Sequence, residues 1–159
     1  MLTMHRAELL VFADFHQFYL MDGGVAPEAP IEWSDQDINL RVKVASNVVV
    51  VCPVRNMSVP VTIEVCSAEP SVNLDEFDQV VRCSINLPTG YLQVHESTGS
   101  ELLHLSVMPA TYGVLILFSD IGAISEDGLN GNDRYHVYLW PGTESPLRLL
   151  KAWAAGTFT

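Results

Sequence analysis

Short apolar runs rich in Val, Ile, Leu, Tyr and Phe recur along the chain, and Pro, Gly, Asn and Asp separate them. This spacing is typical of an all-β protein, because β-branched and aromatic residues favour strands and the separating residues favour turns. The pattern predicts strands at residues 9–21, 42–51, 60–67, 78–87, 90–96, 102–108, 113–120, 134–140 and 146–153. We therefore expect a two-sheet antiparallel β-sandwich that forms a single domain over residues 1–159.

The alternation of polar and apolar positions predicts which strands face solvent on one side. In the fourth predicted strand Val81, Cys83 and Ile85 point one way, and the polar residues between them point the other way. The segments 48–51 and 114–118 are instead apolar at every position. We expect these two segments to be central strands that are covered on both faces.

One short helix is predicted near residues 34–40. Ser34 is a favourable N-cap, because its hydroxyl can accept a hydrogen bond from an unpaired N–H of the first turn. Asp35 and Asp37 follow at positions where the helix dipole stabilises a carboxylate, and Asp37 stands at the third position of a near capping box.

Charge is scarce and strongly one-sided. The chain is 48% hydrophobic and 17% charged, and 19 acidic residues against 8 basic ones give a formal net charge of −11. An excess of negative charge repels nucleic acid and anionic membranes and attracts basic partners. We expect a basic protein partner, and neither nucleic acid nor a membrane.

The acidic residues gather in three segments outside the predicted strands, at residues 28–37, 69–78 and 120–133. The residues predicted to bind a partner are Asp35, Asp37, Asp75, Glu76, Asp78, Glu126, Asp127 and Asp133. If the three segments meet at one end of the sandwich, the charge forms a directed patch. If they scatter to both ends, the charge serves solubility alone.

The cysteines predict a reducing compartment. Cys52, Cys66 and Cys83 are odd in number, lack CxxC spacing and lie in apolar runs, so they do not form a disulfide framework. A buried free thiol behaves as a small hydrophobic group. The N-terminus shows no secretory signal pattern, and the expected location is the cytoplasm.

Motifs for catalysis or metal binding are absent from the sequence. It contains no nucleophile elbow, no phosphate-binding or dinucleotide-binding glycine motif and no HExxH pair. The loop 120–133 lacks the spacing of a calcium loop. A metal site would require His16, His95, His104 and His136 to converge from different strands, because no two histidines have the close spacing of a zinc-ligand pair. We expect no enzyme activity, no cofactor and no metal.

The segment 12–22 is unusual because polar residues stand among its aromatic ones. Asp14, His16 and Gln17 interrupt a run that contains Phe15 and Phe18. One interpretation is a first strand whose polar groups bond to a neighbouring turn. The other is an edge that recognises a partner.

Several short motifs, taken in order, resemble the competence protein J family. They are His16-Gln17-Phe18, Trp33-Ser34-Asp35, the strand 80–87 that ends in Pro88-Thr89-Gly90-Tyr91, and a late strand at Tyr112-Gly113. The resemblance covers about two-thirds of the chain, and it implies a small cytosolic β-sandwich. In the family's namesake it implies inhibition of a DNA-entry nuclease. It carries over no site residue, and the 121–133 loop of this chain is longer.

These observations favour a non-enzymatic inhibitor or immunity-type protein that occludes a basic partner such as a nuclease or toxin. Two alternatives remain at this stage. One is a β-domain that binds a small molecule or a metal, and the other is a structural subunit that oligomerises through an edge strand. The expected state is a monomer or a weak homodimer.

Overall fold

The structure is a computed structural model that describes residues 2–153, and this range contains eleven strands and one α-helix. The strands are β1 (Thr3–Phe12), β2 (Phe18–Asp22), β3 (Val42–Ala45), β4 (Val48–Val51), β5 (Ser58–Cys66), β6 (Gln79–Leu87), β7 (Tyr91–Glu96), β8 (Glu101–Ser106), β9 (Ala110–Ser119), β10 (Arg134–Pro141) and β11 (Arg148–Lys151). The helix α1 spans Asp35–Leu40, and short 3₁₀ turns occupy Asp14–His16 and Leu74–Glu76. No helix within residues 2–153 has the length and apolar character needed to cross a membrane.

The strands form two sheets that pack face to face, which confirms the predicted sandwich. The larger sheet has the order β1-β5-β10-β9-β6-β11, and the smaller has the order β3-β4-β2-β7-β8. All pairs are antiparallel except β5 with β10, which run parallel. The sequence pattern predicted only antiparallel pairing. The strand β10 lies between β5 and β9 in the larger sheet and runs in the same direction as β5.

Side chains that alternate along the strands fill the space between the sheets. Val81, Cys83 and Ile85 of β6 point into this core, as their alternation predicted. The strand β9 is buried on both faces because residues 67–78 cross the outside of the larger sheet and place Leu74 and Phe77 over it. The strand β4 is covered in the same way by residues 23–34, whose Trp33 packs outside the smaller sheet. Both predicted central strands are therefore confirmed.

Two segments that were predicted as single strands each contain two strands, so these two predictions are wrong. The segment 9–21 is β1 and β2 in different sheets, joined by the 3₁₀ turn in which Phe15 and His16 have φ of 57° and 56°. The polar residues that interrupt the hydrophobic pattern lie at this change of sheet. The segment 42–51 is a hairpin of β3 and β4, and its continuous apolar character hid the turn at Ser46 and Asn47.

The predicted helix is confirmed with its cap. The Ser34 hydroxyl accepts a hydrogen bond from the Asp37 amide, and the Asp37 carboxylate accepts one from the Ser34 amide at 2.9 Å. Arg41 then ends the helix in the left-handed conformation, with φ of 59°. This reciprocal pair of bonds satisfies two N–H groups that the first turn leaves unpaired.

The three cysteines are free thiols. Burial raises the pKa of Cys52 and of Cys83 to about 12, so neither carries a reactive thiolate at neutral pH. Alternation along β6 places Arg82 and Cys83 on opposite faces of the larger sheet, as predicted.

A buried carboxylate closes the end of the sandwich at which β2 and β6 finish. Asp22 accepts hydrogen bonds from the Gly24 amide at 2.7 Å, the Thr89 amide at 2.8 Å and the Thr89 hydroxyl. Burial opposes ionisation of Asp22, but these bonds outweigh it and hold the pKa below its usual value.

The lowered pKa of Asp22 predicts an acid-dependent loss of stability. The stabilisation that the ionised Asp22 carboxylate contributes to the folded state is fully present above the unfolded-state pKa of about 3.9. It is lost as the pH falls through the lower folded-state pKa. We expect Asp22→Asn to lower the free energy of unfolding by about 1–3 kcal/mol at neutral pH, because an amide cannot accept all three bonds. Urea titrations near neutral pH and near pH 3 should show a smaller acid effect in the variant than in the wild type. Equal acid effects would contradict this role for Asp22.

Candidate functional site

The topology brings parts of the three acidic segments, residues 35–37, 73–78 and 120–133, to the same end of the sandwich. The strands β1, β4, β7 and β9 finish at this end, and β2, β3, β6 and β10 begin there. The helix α1 lies just before β3, the 3₁₀ turn Leu74–Glu76 lies just before β6, and the loop 120–133 joins β9 to β10. We name this region the acidic end, defined by residues 35–41, 73–78 and 120–133 together with the turn 13–17.

Hydrogen bonds connect these segments to one another. The Asp78 carboxylate accepts from the Ile121 amide at 3.0 Å, which joins the second acidic segment to the third. The Gln79 side chain donates to the Leu40 carbonyl at 2.8 Å, which joins the start of β6 to the end of α1. The acidic end is therefore one connected surface and not a set of independent loops.

The predicted partner-binding residues differ in exposure. Five of the eight are exposed, namely Asp35, Asp75, Glu76, Glu126 and Asp127. Asp37 and Asp78 are half-buried, and Asp133 is fully buried. Glu28, Glu32 and Glu69 stand on the two crossing segments and lie outside the acidic end.

Hydrogen bonds hold two carboxylates of this end, Asp37 and Asp127, in the ionised form. The Lys43 ammonium and the Ser34 amide hold the pKa of Asp37 below its usual value. The Ser125 hydroxyl and the Leu129 amide do the same for Asp127 in the loop. A carboxylate that accepts such bonds retains its negative charge well into the acidic range.

Asp133 supports the loop from within. Its carboxylate accepts hydrogen bonds from Arg55 Nε and from the Tyr135 hydroxyl, both at 2.6 Å, and all three side chains are buried. Arg55 also donates to the Leu129 carbonyl at 3.2 Å, and the Tyr135 hydroxyl accepts from the Val54 amide at 2.8 Å. The Asp133 carboxylate thus bonds to groups inside the protein, and it lies beneath the loop that carries Glu126 and Asp127.

An apolar cleft opens at the acidic end. Its volume is about 540 Å³. The side chains that define it include Phe15, Trp33, Ile38, Ile121, Ile124 and Trp153. Phe15 is 73% exposed and Ile38 is 47% exposed, so this end displays large apolar groups as well as carboxylates.

Phe15 is held in an unusual backbone conformation. Its φ of 57° lies in the left-handed region, which costs a bulky residue on the order of 1–3 kcal/mol. The turn persists because the Asp14 carboxylate accepts from the Phe15 amide at 3.1 Å and the Asp14 carbonyl accepts from the Ser97 hydroxyl at 2.8 Å. The aromatic run broken by polar residues at 12–22 was the sequence signal for this feature, although it did not identify Phe15.

Arg41 lies at the base of the cleft and is buried. Burial lowers the pKa of this guanidinium to about 10, so it keeps its charge at neutral pH. The sequence analysis did not single out Arg41, because an arginine after a short helix resembles any surface arginine.

The histidines do not converge, which overturns the arrangement that a shared metal site requires. His95 and His104 point outward from the smaller sheet, where Gln93 bonds to both at 2.7 and 2.8 Å. His136 points outward from the larger sheet, and its Nε2 lies 3.2 Å from the Glu64 carboxylate, to which it can donate. His16 lies in the 3₁₀ turn. The core separates the two outer faces, and residues 2–153 contain no grouping of His, Cys, Asp and Glu side chains able to hold a metal ion.

Comparison with known proteins finds likeness at the level of structure. No protein-family model and no curated protein sequence matches the chain. The fold is similar to the crystal structure of ComJ from Bacillus subtilis, an inhibitor of the DNA-degrading activity of NucA, with a TM-score of 0.66 and 16% identity over 88% of this chain and 97% of that one. It is also similar to the crocagin biosynthetic gene J protein, with a TM-score of 0.59 and 21% identity over 90% of this chain and 100% of that one. The structural resemblance to ComJ-like proteins is thus confirmed, and at these identities it establishes the fold.

Proposed function

We propose that this chain is a non-enzymatic inhibitor that uses the acidic end to occlude a basic protein partner of the nuclease kind. The observation that carries the proposal is that parts of three acidic segments lie at the same end of the sandwich as an exposed apolar cleft. ComJ, which shares the fold, inhibits a nuclease. The free cysteines favour a reducing compartment, and we place the complex in the cytoplasm.

The charge of the acidic end suits a partner that binds DNA. An enzyme that cleaves DNA carries a basic surface for the phosphate backbone. A rigid cluster of carboxylates at Asp35, Asp75, Glu76, Glu126 and Asp127 presents the opposite potential. Such complementarity speeds association and selects the partner, and salt screens it.

The cleft supplies an apolar contact surface, which the charged residues alone do not provide. Interfaces gain most of their affinity from a few large aromatic or apolar groups near the centre, surrounded by polar groups that exclude water. Phe15 and Ile38 line the cleft and are exposed, and we propose that they form the centre of the interface and the carboxylates of the acidic end its rim. The structure therefore supports a partner that presents basic groups around an apolar contact.

Inhibition of DNA degradation tests this function. The probe is the DNA-degrading activity in an extract of the organism that encodes the chain, measured on plasmid DNA with and without the purified protein. We expect the wild type to reduce the activity, and to do so less as salt rises from about 0.05 M to about 0.5 M. The variant Asp75→Lys, Glu76→Lys, Glu126→Lys, Asp127→Lys should inhibit at least about tenfold less well, because four opposing charges now repel the partner.

The matched control reverses exposed acidic residues away from the acidic end. Glu28→Lys and Glu144→Lys change exposed carboxylates on other surfaces. This control should inhibit like the wild type. No inhibition by the wild type, or equal inhibition by both sets of variants, would contradict the proposed function.

A second candidate function rests on the cleft itself. Trp33 and Trp153 both line it, and a volume of about 540 Å³ lies in the range of small-molecule sites. A small apolar ligand would change tryptophan fluorescence when it binds, and the change would be insensitive to salt. Salt-independent ligand binding without any effect on DNA degradation would favour this function over inhibition.

A further inference from the structure

The strand β1 forms one edge of the larger sheet and presents a row of exposed side chains. Nine of its ten residues pair with β5 on one side, Met4 standing at an irregularity between Thr3 and His5, and within residues 2–153 no strand pairs with its other side. The outward-facing row includes Met4, Arg6, Glu8 and Leu10. Met4 is 58% exposed and Leu10 is 68% exposed, although edge strands usually carry polar residues at such positions.

The backbone groups of the same residues point toward the open edge. The Ala13 amide donates to the Met57 carbonyl beside β5, whereas the neighbouring Phe12 amide turns away and donates to the Glu96 carboxylate. Backbone groups alternate between the two sides of a strand. The N–H and C=O groups of Arg6, Glu8 and Leu10 therefore lie on the free side, where another strand can pair with them.

The order of residues in β1 is complementary to itself. If two copies of β1 run antiparallel about a two-fold axis at Ala7, Arg6 of each copy lies opposite Glu8 of the other. In the same register Met4 lies opposite Leu10. Opposite charges and large apolar groups in directly facing positions each stabilise an antiparallel pair.

From this complementarity we infer that β1 is a homodimer interface, at which a second copy of this chain joins the two larger sheets into one continuous sheet. The order of the charges fits this occupant. Within one chain Arg6 Nη2 lies 3.3 Å from the Glu8 carboxylate, and Arg6 Nε lies 3.5 Å from that of Glu64. In the two-fold register each Arg6 also faces Glu8 of the other copy, whereas a strand without this order of charges would not match both residues. A two-fold contact of this kind closes on itself, so it produces a dimer and no larger assembly.

The dimer leaves the proposed binding surface accessible. Because the two copies of β1 run antiparallel, their acidic ends point in opposite directions. Each copy can then bind its own partner. The inference does not depend on the proposed function, and either can fail without the other.

Charge-swap variants of the full chain test the inference by sedimentation velocity over a range of concentrations. We expect the wild type to show a monomer–dimer equilibrium. Arg6→Glu or Glu8→Arg alone should raise the dimer dissociation constant at least about tenfold, because each places like charges opposite one another. The double variant Arg6→Glu, Glu8→Arg should dimerise again, and so should an equimolar mixture of the two single variants.

The rescue in the mixture separates pairing from a general effect of charge. Glu144→Arg changes an exposed residue outside β1 and is the control that should dimerise like the wild type. Arg6 also lies 3.5 Å from Glu64, so circular dichroism should check its fold, while Glu8 is 71% exposed and tolerates replacement. A monomeric wild type, dimers that persist in both single variants, or assemblies larger than a dimer would each overturn the inference.

Discussion

Replacing Asp133 by alanine is expected to lower the free energy of unfolding by about 3–5 kcal/mol, because it leaves a buried guanidinium without its carboxylate. Arg55 and Asp133 are 7% and 0% exposed, and their ion pair spans 2.6 Å. The same change removes the acceptor of the Tyr135 hydroxyl. Urea unfolding followed by tryptophan fluorescence measures the effect.

A second ion pair at the start of the same loop provides the matched control. Arg134 and Asp120 lie 3.0 Å apart, but their side chains are 65% and 53% exposed. Asp120→Asn should cost less than about 1 kcal/mol, because water solvates both charges and asparagine tolerates the left-handed φ of 53° at this position. The double variant Arg55→Met, Asp133→Leu should be more stable than Asp133→Ala, since no buried charge is left alone. Equal losses for Asp133→Ala and Asp120→Asn would contradict the supporting role of the buried pair.

Replacing Phe15 by glycine is expected to weaken partner binding and to stabilise the free protein. Glycine adopts a φ of 57° without the steric cost that a side chain imposes, so the free energy of unfolding should rise by about 1 kcal/mol. The exposed ring is lost from the centre of the proposed interface, which should raise the dissociation constant about thirtyfold or more. Chemical denaturation and a titration with the nuclease that is the proposed partner measure the two effects.

Phe15→Gly is informative because it is expected to raise stability while it weakens partner binding. A loss of binding that followed from damage to the fold would be accompanied by lower stability. Met108→Ala removes another large residue, 62% exposed at the opposite end of the sandwich, and should leave binding unchanged. Phe15→Gly with wild-type affinity would remove Phe15 from the interface.

Local patterns in the sequence predict the local parts of this structure. Alternation identified β6, continuous apolar runs identified β4 and β9 as strands covered on both faces, and the Ser34–Asp37 spacing identified a capped helix. These features depend on residues near one another in the chain, so their physical causes are visible in the sequence. The change of sheet at 13–17 is also local, but an aromatic run with polar interruptions is compatible with both a strand and a turn.

The candidate site depends on contacts that no local pattern reveals. Arg55 and Asp133 are separated by 78 positions in the sequence, and nothing near either residue indicates the other. The acidic composition was evident, yet the position of the three segments depends on strand order and on the parallel pairing of β5 with β10. The cleft likewise combines residues from the 3₁₀ turn, the helix and the loop after β9.

Hydrogen exchange on the complex of this chain with the nuclease that we propose it inhibits tests the central claim most directly. The acidic end should exchange more slowly in the complex than in the free protein, at residues 13–17, 35–41, 73–78 and 120–133. The turn 88–90 and residues 107–109, at the opposite end, should exchange at the same rate in both states. Slower exchange at 88–90 and 107–109 with no change at the acidic end would contradict the claim that this end binds the partner.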